Sequence, residues 1–599
     1  MQHQYPHNYL TATLSAILVV ALTSAIPLRA ADPAPPPAGS PRSVYQPTGA
    51  PADPKVDVRW NLYHDYAAAT DILKRLAAAF PRRARLQSLG RSTDGREMWV
   101  LTITNFAARQ ETQKPGFFID GGIHANEVQA TEVVLYTAWY LLENYGRNER
   151  ITDLVDNRVF YLLPMLSPDS RDAHFYEPNT THSPRTGQRP VDDDQDGRVD
   201  EDGPDDLDHD GHITQMRIKD PNGRHKPHPD YPELLIAAKP EERGGYTLLG
   251  QEGIDNDKDG RVNEDGDGSY DPNRDWPWNW QPKHVQNGAF RYPFSLKENR
   301  LMGEFIQAHP NIAGAQSYHN TGGMILRGPG AKDDKYDPAD LTVYDLIGKR
   351  GETLLPGYRY INIAQDLYEV YGGSVDWLYQ MNGVFTFTNE LFTPFNFQRK
   401  DTGEGYFARD ELLHQFNRDL LLGDGLVKWH EVDHPKYGKI EVGGLKKNWV
   451  RQPPSFLLEE ECHRNMAFTL YHAEQLPRVA VQSVTIKKLP GAEGLLEITA
   501  AVTNERLTPT HATVDVNNKI TLPDRVTLIG ANLKILTSQW SVDAFFTDPK
   551  NTRRDPQEVK LPNIPGMGVR YIRWIATGAG PATVKVESVK GGVAEKTAE

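Results

Sequence analysis

The sequence predicts an α/β protein: a three-layer α/β/α sandwich on a mixed sheet, followed by a C-terminal β-sandwich. Three observations carry this. Strand-like and helix-like segments alternate over most of the chain. Several strand-like runs are apolar at successive positions, which suits a parallel or mixed sheet covered by helices on both faces. From about Leu476 the texture changes to short strands parted by turn residues, with no long helix between them. At 599 residues the chain is also too long for one ordinary core.

The first segment, Leu10–Leu28, is apolar with small residues, and cleavage after Ala25, Ala30 or Ala31 would make 1–31 a signal peptide. That predicts a secreted or periplasmic protein with no membrane contact after cleavage. Histidines stand where a signal has its lysines or arginines, so a retained anchor is the alternative. No later apolar run is long enough to span a bilayer. Residues 32–54 are rich in proline and alanine and read as a linker. In residues 55–475, WVLTITN (Trp99–Asn105), FFID (Phe117–Asp120), VFYLLPML (Val159–Leu166), GAQSYH (Gly314–His319) and FTFTNEL (Phe385–Leu391) read as strands. TEVVLYTAWYLLENYG, Leu301–His309 and Glu411–Val427 read as helices. In residues 476–599, VAVQSVTIKK, LLEITAAVTN, ATVDVNNKITL and ATVKVESVKG alternate as strands do.

Composition narrows the partners. A formal charge of -14 argues against nucleic acid. Cys462 is the only cysteine, so an intramolecular disulfide is impossible, and stability must come from cores or bound metal. A lone thiol of this kind is more often a buried small residue than a nucleophile.

The negative charge is concentrated in an insert at about 190–268. DDDQDGRVDEDG (Asp192–Gly203), DLDHDG (Asp206–Gly211) and DNDKDGRVNEDG (Asp255–Gly266) each carry D-x-D-x-D-G. Oxygen ligands at alternate positions, with glycine sixth for the sharp turn, match a calcium loop. The candidate ligands are Asp192, Asp194 and Asp196, then Asp206, Asp208 and Asp210, then Asp255, Asp257 and Asp259. The bidentate glutamate expected at position twelve is absent; Asp200, Asp202, Asn263 and Asp265 are the candidates to replace it. A merely solvated loop is the alternative. Eleven carboxylates between Asp192 and Asp210 would repel one another without a cation. The expected role of calcium is structural, pinning a long insertion.

The chemistry centres on GGIHANEVQA (Gly121–Ala130), where a strand ends and a helix begins. Open α/β sheets place their sites there. His124 and Glu127 suit Zn²⁺, and His319 in AQSYHNTGG, at another strand end, completes a His₂Glu set of the type found in hydrolytic zinc sites.

From about Tyr63 to Leu426 the sequence resembles the zinc carboxypeptidases, the carboxypeptidase A-like metallopeptidases. Its landmarks are GRSTDGREMWVLTI, IDGGIHANE, LLPMLSPDS, DPNRDW and LYEVYGGSVDWLYQMNGVFTFTNEL. The resemblance implies that Asn273 and Arg274 bind the terminal carboxylate of a peptide or protein substrate and that Asp271 orients His124. It implies that Tyr368 covers the substrate and that Glu390 is the general base acting on a zinc-activated water. The tyrosine-to-glycine and tryptophan-to-glutamate spacings of the last landmark hold without a gap. The family's oxyanion arginine falls near the start of the acidic insert. Arg185 is the nearest candidate, with Arg171 and Arg189 behind it. Val375 matches a position lining the pocket for the terminal side chain, where an apolar residue disfavours basic termini. Trp276, Trp278 and Trp280 line the approach to the site or serve as packing.

Three features depart from the family pattern. Asn126 stands where many digestive members have arginine, the Glu127-to-His319 spacing is long, and residues 32–54 are too short for a folded pro-domain. Two rivals stand beside the carboxypeptidase reading. One is a zinc amidase acting on modified or cell-wall peptides, which would not need Asn273 and Arg274. The other is a non-catalytic peptide- or surface-binding protein, which would be expected to have lost part of the site.

Overall fold

The computed structural model describes residues 47–599 except 186, 193–196, 264–269, 401–405, 492–493 and 553. The proposed signal segment, most of the linker, and Asp194, Asp196 and Asp265 lie outside the described residues. Residues 53–599 form one compact unit.

The centre is an eight-stranded mixed sheet. Its strands are β1 (Ala84–Arg91), β2 (Glu97–Ile103), β3 (Gly116–Gly121), β4 (Val159–Leu163), β5 (Ile312–Asn320), β6 (Met324–Arg327), β7 (Arg359–Asn362) and β8 (Phe385–Leu391). Their order is β1-β2-β4-β3-β5-β8-β6-β7. The middle four, β4, β3, β5 and β8, run parallel. Side chains alternate between two cores. Phe117, Ile119, Phe160 and Leu162 pack with helices Gln129–Asn144 and Ser455–Glu474 on one face. Phe118, Tyr161 and Leu163 pack with helices Lys297–Ala308 and Ser374–Asn382 on the other. Burial on both faces is what the continuous apolar runs encode.

Beyond residue 476 a five-stranded and a four-stranded sheet share one core, which includes Ile498, Val526, Ile572, Trp574 and Val584. This is the expected β-sandwich. Cys462 is buried, as a lone structural thiol should be.

Several elements differ from expectation. The helix expected over Glu411–Val427 spans Asp410–Asp419 and stops, and a strand begins at Leu426. Gly423, at φ +90, turns the chain, and the Asn417 side chain accepts from the Gly425 N–H at 2.7 Å. The strand expected within ATVDVNNKITL is instead the short helix Thr513–Asn518. There the Asp515 carboxylate accepts from the Thr521 N–H at 2.8 Å and from its hydroxyl, a local bond that outcompetes strand pairing. The acidic insert contains a fold of its own. Strands Gln215–Asp220, His225–Pro227, Leu235–Ala237 and Gly245–Gln251 join Leu426–His434 and Gly438–Leu445 in a six-stranded antiparallel sheet.

Candidate active site

The parallel strands β3, β5 and β8 end together. Register pairs Gly121 with Tyr318, and His319 with Glu390. The Gly121–Gly122 pair makes the first corner possible. A Cβ on Gly121 would come within 2.9 Å of the Ala130 backbone, and Gly122 has φ +68. Helix Gln129–Asn144 can therefore pack directly on the strand, while the loop before it carries His124 and Glu127, both buried.

His124, Glu127 and His319 present ligand atoms that all lie within 4.8 Å of one another. Nδ1 of His124 is 3.1 Å from Glu127 Oε1 and 3.0 Å from Nδ1 of His319. Nδ1 of His319 is in turn 3.0 Å from Glu127 Oε2. The far nitrogen of His124, Nε2, lies 2.8 Å from Asp271 Oδ1. A carboxylate only accepts, so Nε2 carries the proton and Nδ1 points a lone pair at the other two groups. Converging lone pairs in a buried site repel unless a cation stands among them. Two imidazoles and a carboxylate are the donor set of a zinc site, and Asp271 holds His124 in the ligating tautomer.

Burial alone would raise Glu127, but with no cation among the three groups a protonated His124 and His319 outweigh it and hold its carboxyl well below the usual range. Burial is likewise outweighed at Asp271, by His124, Arg274 and Arg185. Burial pushes Glu390 up to about 7, and the Glu127 carboxylate adds to the shift. Arg185 donates from Nη1 to Glu127 Oε1 at 3.1 Å and from Nε to Asp271 Oδ2 at 3.3 Å. Its acidic neighbours, Asp271 first, outweigh its burial and keep it a firm cation.

One cavity collects His124, Arg185, Asn273, Arg274, Tyr368 and Glu390. Tyr368 stands half-exposed at this cavity. The DPNRDW and GGSVDW segments are joined: Asn273 Oδ1 accepts from the Ser374 N–H at 3.0 Å, and the Gly372 carbonyl from the Trp276 N–H at 3.0 Å. Gly372 has φ +67, and a Cβ there would meet the Arg274 carbonyl at 2.7 Å. Arg274 is buried; its Nη1 donates to the Asn273 carbonyl, and its Nε has no partner among the described residues. Beside it the wall is apolar, formed by Leu326, Ile363, Leu367, Val370 and Val375. Asp376 also lines the cavity, but its oxygens are engaged by the Gly330 N–H and the Tyr336 hydroxyl, each at 2.8 Å.

The other arginines lie elsewhere. Arg171 binds the Val128 and His64 carbonyls and Glu132, and Arg189 stacks over Phe290. Trp276 is a fully buried core residue. Arg451 carries no motif in the sequence, yet its Nη2 lies 3.8 Å from Glu127 Oε1 and donates to the Asn320 carbonyl at 2.8 Å. Its position after the insert sheet gave no periodicity or spacing to read.

In the insert, the first aspartate of each loop accepts from the N–H of that loop's glycine: Asp192 from Gly197, Asp206 from Gly211 and Asp255 from Gly260, at 3.1, 2.8 and 3.3 Å. Asp255, Asp257 and Asp259 form one group able to hold a metal. In the second loop Asp206 and Asp208 are joined by Glu252 from a later strand end, whereas the Asp210 carboxylate accepts from the His212 N–H.

The sequence profile of the family described as zinc carboxypeptidase matches residues 69–196 and 245–419, just over half of the chain. The chain belongs to the zinc carboxypeptidase family. A second profile, described as a domain of unknown function (DUF8731), matches residues 478–599. Human carboxypeptidase D is 36% identical over 107 residues, 18% of this chain and 8% of that protein. Human carboxypeptidase Z is 36% identical over 112 residues, 18% of this chain and 17% of that protein. The aligned part is thus a small fraction of either relative. Among solved structures, carboxypeptidase A from Helicoverpa armigera aligns over 55% of this chain and 65% of its own, at 21% identity and TM-score 0.38. Bovine thrombin-activatable fibrinolysis inhibitor, solved with a tick carboxypeptidase inhibitor, aligns over 70% of this chain and 99% of its own, at 15% identity and TM-score 0.42. The zinc carboxypeptidase profile passes over residues 197–244, the heart of the acidic insert.

Proposed function

We propose that this protein is a zinc-dependent metallocarboxypeptidase that hydrolyses C-terminal peptide bonds of peptide or protein substrates. The observation that carries the reading is that His124 and His319 of the His124–Glu127–His319 group line one cavity with Glu390 and the buried Arg274. Bound by those three residues, Zn²⁺ would supply Lewis-acid polarisation and a water acidified toward neutrality. Arg274, with an unpartnered Nε–H, and Asn273 hold the terminal carboxylate of the substrate. Glu390 takes the proton of the attacking water and passes it to the leaving amine. Arg185 stabilises the negative charge that develops on the scissile carbonyl oxygen. Tyr368 covers the bound terminus.

The apolar wall beside Arg274 favours an aliphatic or aromatic terminal residue. Of the two acids lining that cavity, Glu390 stands at the metal-holding end and Asp376 has its oxygens already engaged by the Gly330 N–H and the Tyr336 hydroxyl, so neither is offered to a terminal lysine or arginine. An amidase would have no use for a buried arginine whose Nε–H has no acceptor beside the cavity, and a binding protein would have no need of Glu390 beside an intact metal-holding group.

The test is hydrolysis of a peptide panel with free and amidated C-termini by wild type and Glu390→Gln, with zinc measured on both. Release only from free termini, lost in the variant with zinc retained, is the expected result. Cleavage indifferent to the terminus would favour the amidase.

Two further readings accompany this one. The repeated aspartate–glycine geometry and the Asp206–Asp208–Glu252 and Asp255–Asp257–Asp259 groups support structural calcium in the insert. Calcium titration of chelator-treated protein, followed by thermal unfolding, tests it. The Leu10–Leu28 run supports export, and N-terminal sequencing of the mature protein tests that. Among the described residues no helix is long and apolar enough to cross a membrane.

A further inference from the structure

We propose that a groove between the insert sheet and the ends of β5 and β8 binds the substrate segment upstream of the scissile bond and selects a large apolar side chain there. The proposal rests on the carboxypeptidase reading and adds to it a function for the insert. The groove has a volume of about 670 Å³, room for several side chains.

Position is the first argument. Thr321 and Phe392 line the groove, two residues beyond His319 and Glu390 respectively, and so does Arg451. Arg451 joins the groove to the metal-holding group, touching Glu127 on one side and donating from Nη1 to His182, another lining residue, at 2.8 Å. The terminal carboxylate and side chain occupy the Arg274–Val375 cavity, which shares no residue with the groove. A substrate held there has its scissile carbonyl at His319 and Glu390. The chain preceding that bond must leave past these two residues, and the groove begins two residues beyond each, at Thr321 and Phe392.

Chemistry is the second. The outer wall is apolar: Leu234, Leu235 and Leu248 from the insert, Trp429 and Leu445 from the strands that complete its sheet. Trp429 is fixed by a 2.8 Å bond from its Nε1 to the Glu233 carbonyl and by the Arg217 guanidinium over its ring at 4.0 Å. Phe397 and Leu413 line the groove from the body of the protein. The acids lining the groove, Glu233 and Asp410, disfavour an acidic side chain.

Origin is the third. Leu234, Leu235, Trp429, Leu445 and Arg451 all lie outside the residues matched to the family, which omit 197–244 and end at 419. These five residues lie outside the part of the chain that the family profile describes, and the wall they help form stands next to the site.

The test compares a blocked dipeptide with five-residue peptides that share its C-terminal residue and carry leucine, glycine or glutamate throughout the upstream positions. In wild type, kcat/KM should be about tenfold or more higher for the leucine peptide than for the glycine peptide, the effect of burying one large apolar side chain. Leu234→Asp should erase that preference and Leu234→Ala should reduce it, both leaving dipeptide turnover unchanged. Equal turnover of the leucine and glycine peptides by wild type would overturn the proposal, as would a preference that survives both substitutions. Absence of hydrolysis of the dipeptide and the long peptides alike would instead remove the carboxypeptidase reading, and the groove's role with it.

Discussion

Glu390 of β8 stands level with His319 of β5, paired across two parallel strands. The pairing fixes the distance between an imidazole of the candidate metal site and a carboxylate by backbone hydrogen bonds rather than by a mobile loop. A site built on strands keeps its geometry when one side chain is altered. Glu390→Gln should therefore lower kcat by about 10²–10⁴-fold, the usual size of a general-base contribution. Zinc content should be unchanged, because the three candidate ligands are untouched. Loss of zinc together with activity would show that Glu390 supports the metal instead.

The same carboxyl sets an expectation for pH. Burial and Glu127 push it up to about 7 without a cation. A divalent cation on His124, Glu127 and His319 favours the ionised form, so the working value lies below that. As the proposed base, Glu390 must be ionised to act, so kcat/KM should rise with pH to a plateau, with an acid limb below about 7. Glu390→Gln should remove the limb along with the activity it reports. A profile whose acid limb persists in the residual activity of that variant would assign the titration to another group.

Arg274 yields a prediction that separates binding from chemistry. It is buried, and its Nε–H has no acceptor among the described residues. Arg274→Met should cost about 2–4 kcal/mol in binding free-carboxylate substrates, the scale for deleting one partner of a buried charge pair. The loss should fall mainly on KM, and an amidated inhibitor should bind both proteins equally. Equal losses for free and amidated ligands would mean that the substitution had distorted the cavity.

How much of this was legible beforehand follows from the range of the interactions. His124, Glu127 and His319 were readable because each sits where a strand-like run meets a loop, and Glu390 through the resemblance of its segment to the zinc carboxypeptidases. Asp271, Asn273 and Arg274 were readable only through the resemblance of DPNRDW to the zinc carboxypeptidases. Arg451 and Glu252 were not. Each reaches its site through the six-stranded sheet, whose short, half-exposed strands have no strong period and pair across the whole insert. The helix over Thr513–Asn518 was hidden by its β-branched residues. Its conformation is settled by one carboxylate, Asp515, which the sequence shows only as an acid among polar neighbours.

That carboxylate also joins the sandwich to the catalytic body. Lys590 is buried and donates to Asp515 and to the carbonyls of Asn382 and Gly383, all within 2.9 Å. These carbonyls close the C-terminal end of the helix whose first turn carries Ser374 and Val375, so the sandwich braces the element that frames the terminal pocket. Lys590→Met would strand the carbonyls and leave Asp515 with His511 as its one charged partner among the described residues, beside the Thr521 bonds, a cost of about 3 kcal/mol. His511 lies between Asp515 and Asp524. Burial works against its charge, but the two carboxylates outweigh burial and raise it to about 9. A raised histidine contributes stability in full below its ordinary value near 6.5, and the contribution disappears as pH climbs through about 9. Asp515, held well below the carboxylate range, contributes above that range and is lost in acid. Denaturant melts of wild type should thus lose about 2–3 kcal/mol between pH 6 and 10 from this cluster. His511→Gln should flatten that slope. An identical slope in the variant would place the alkaline loss elsewhere in the molecule.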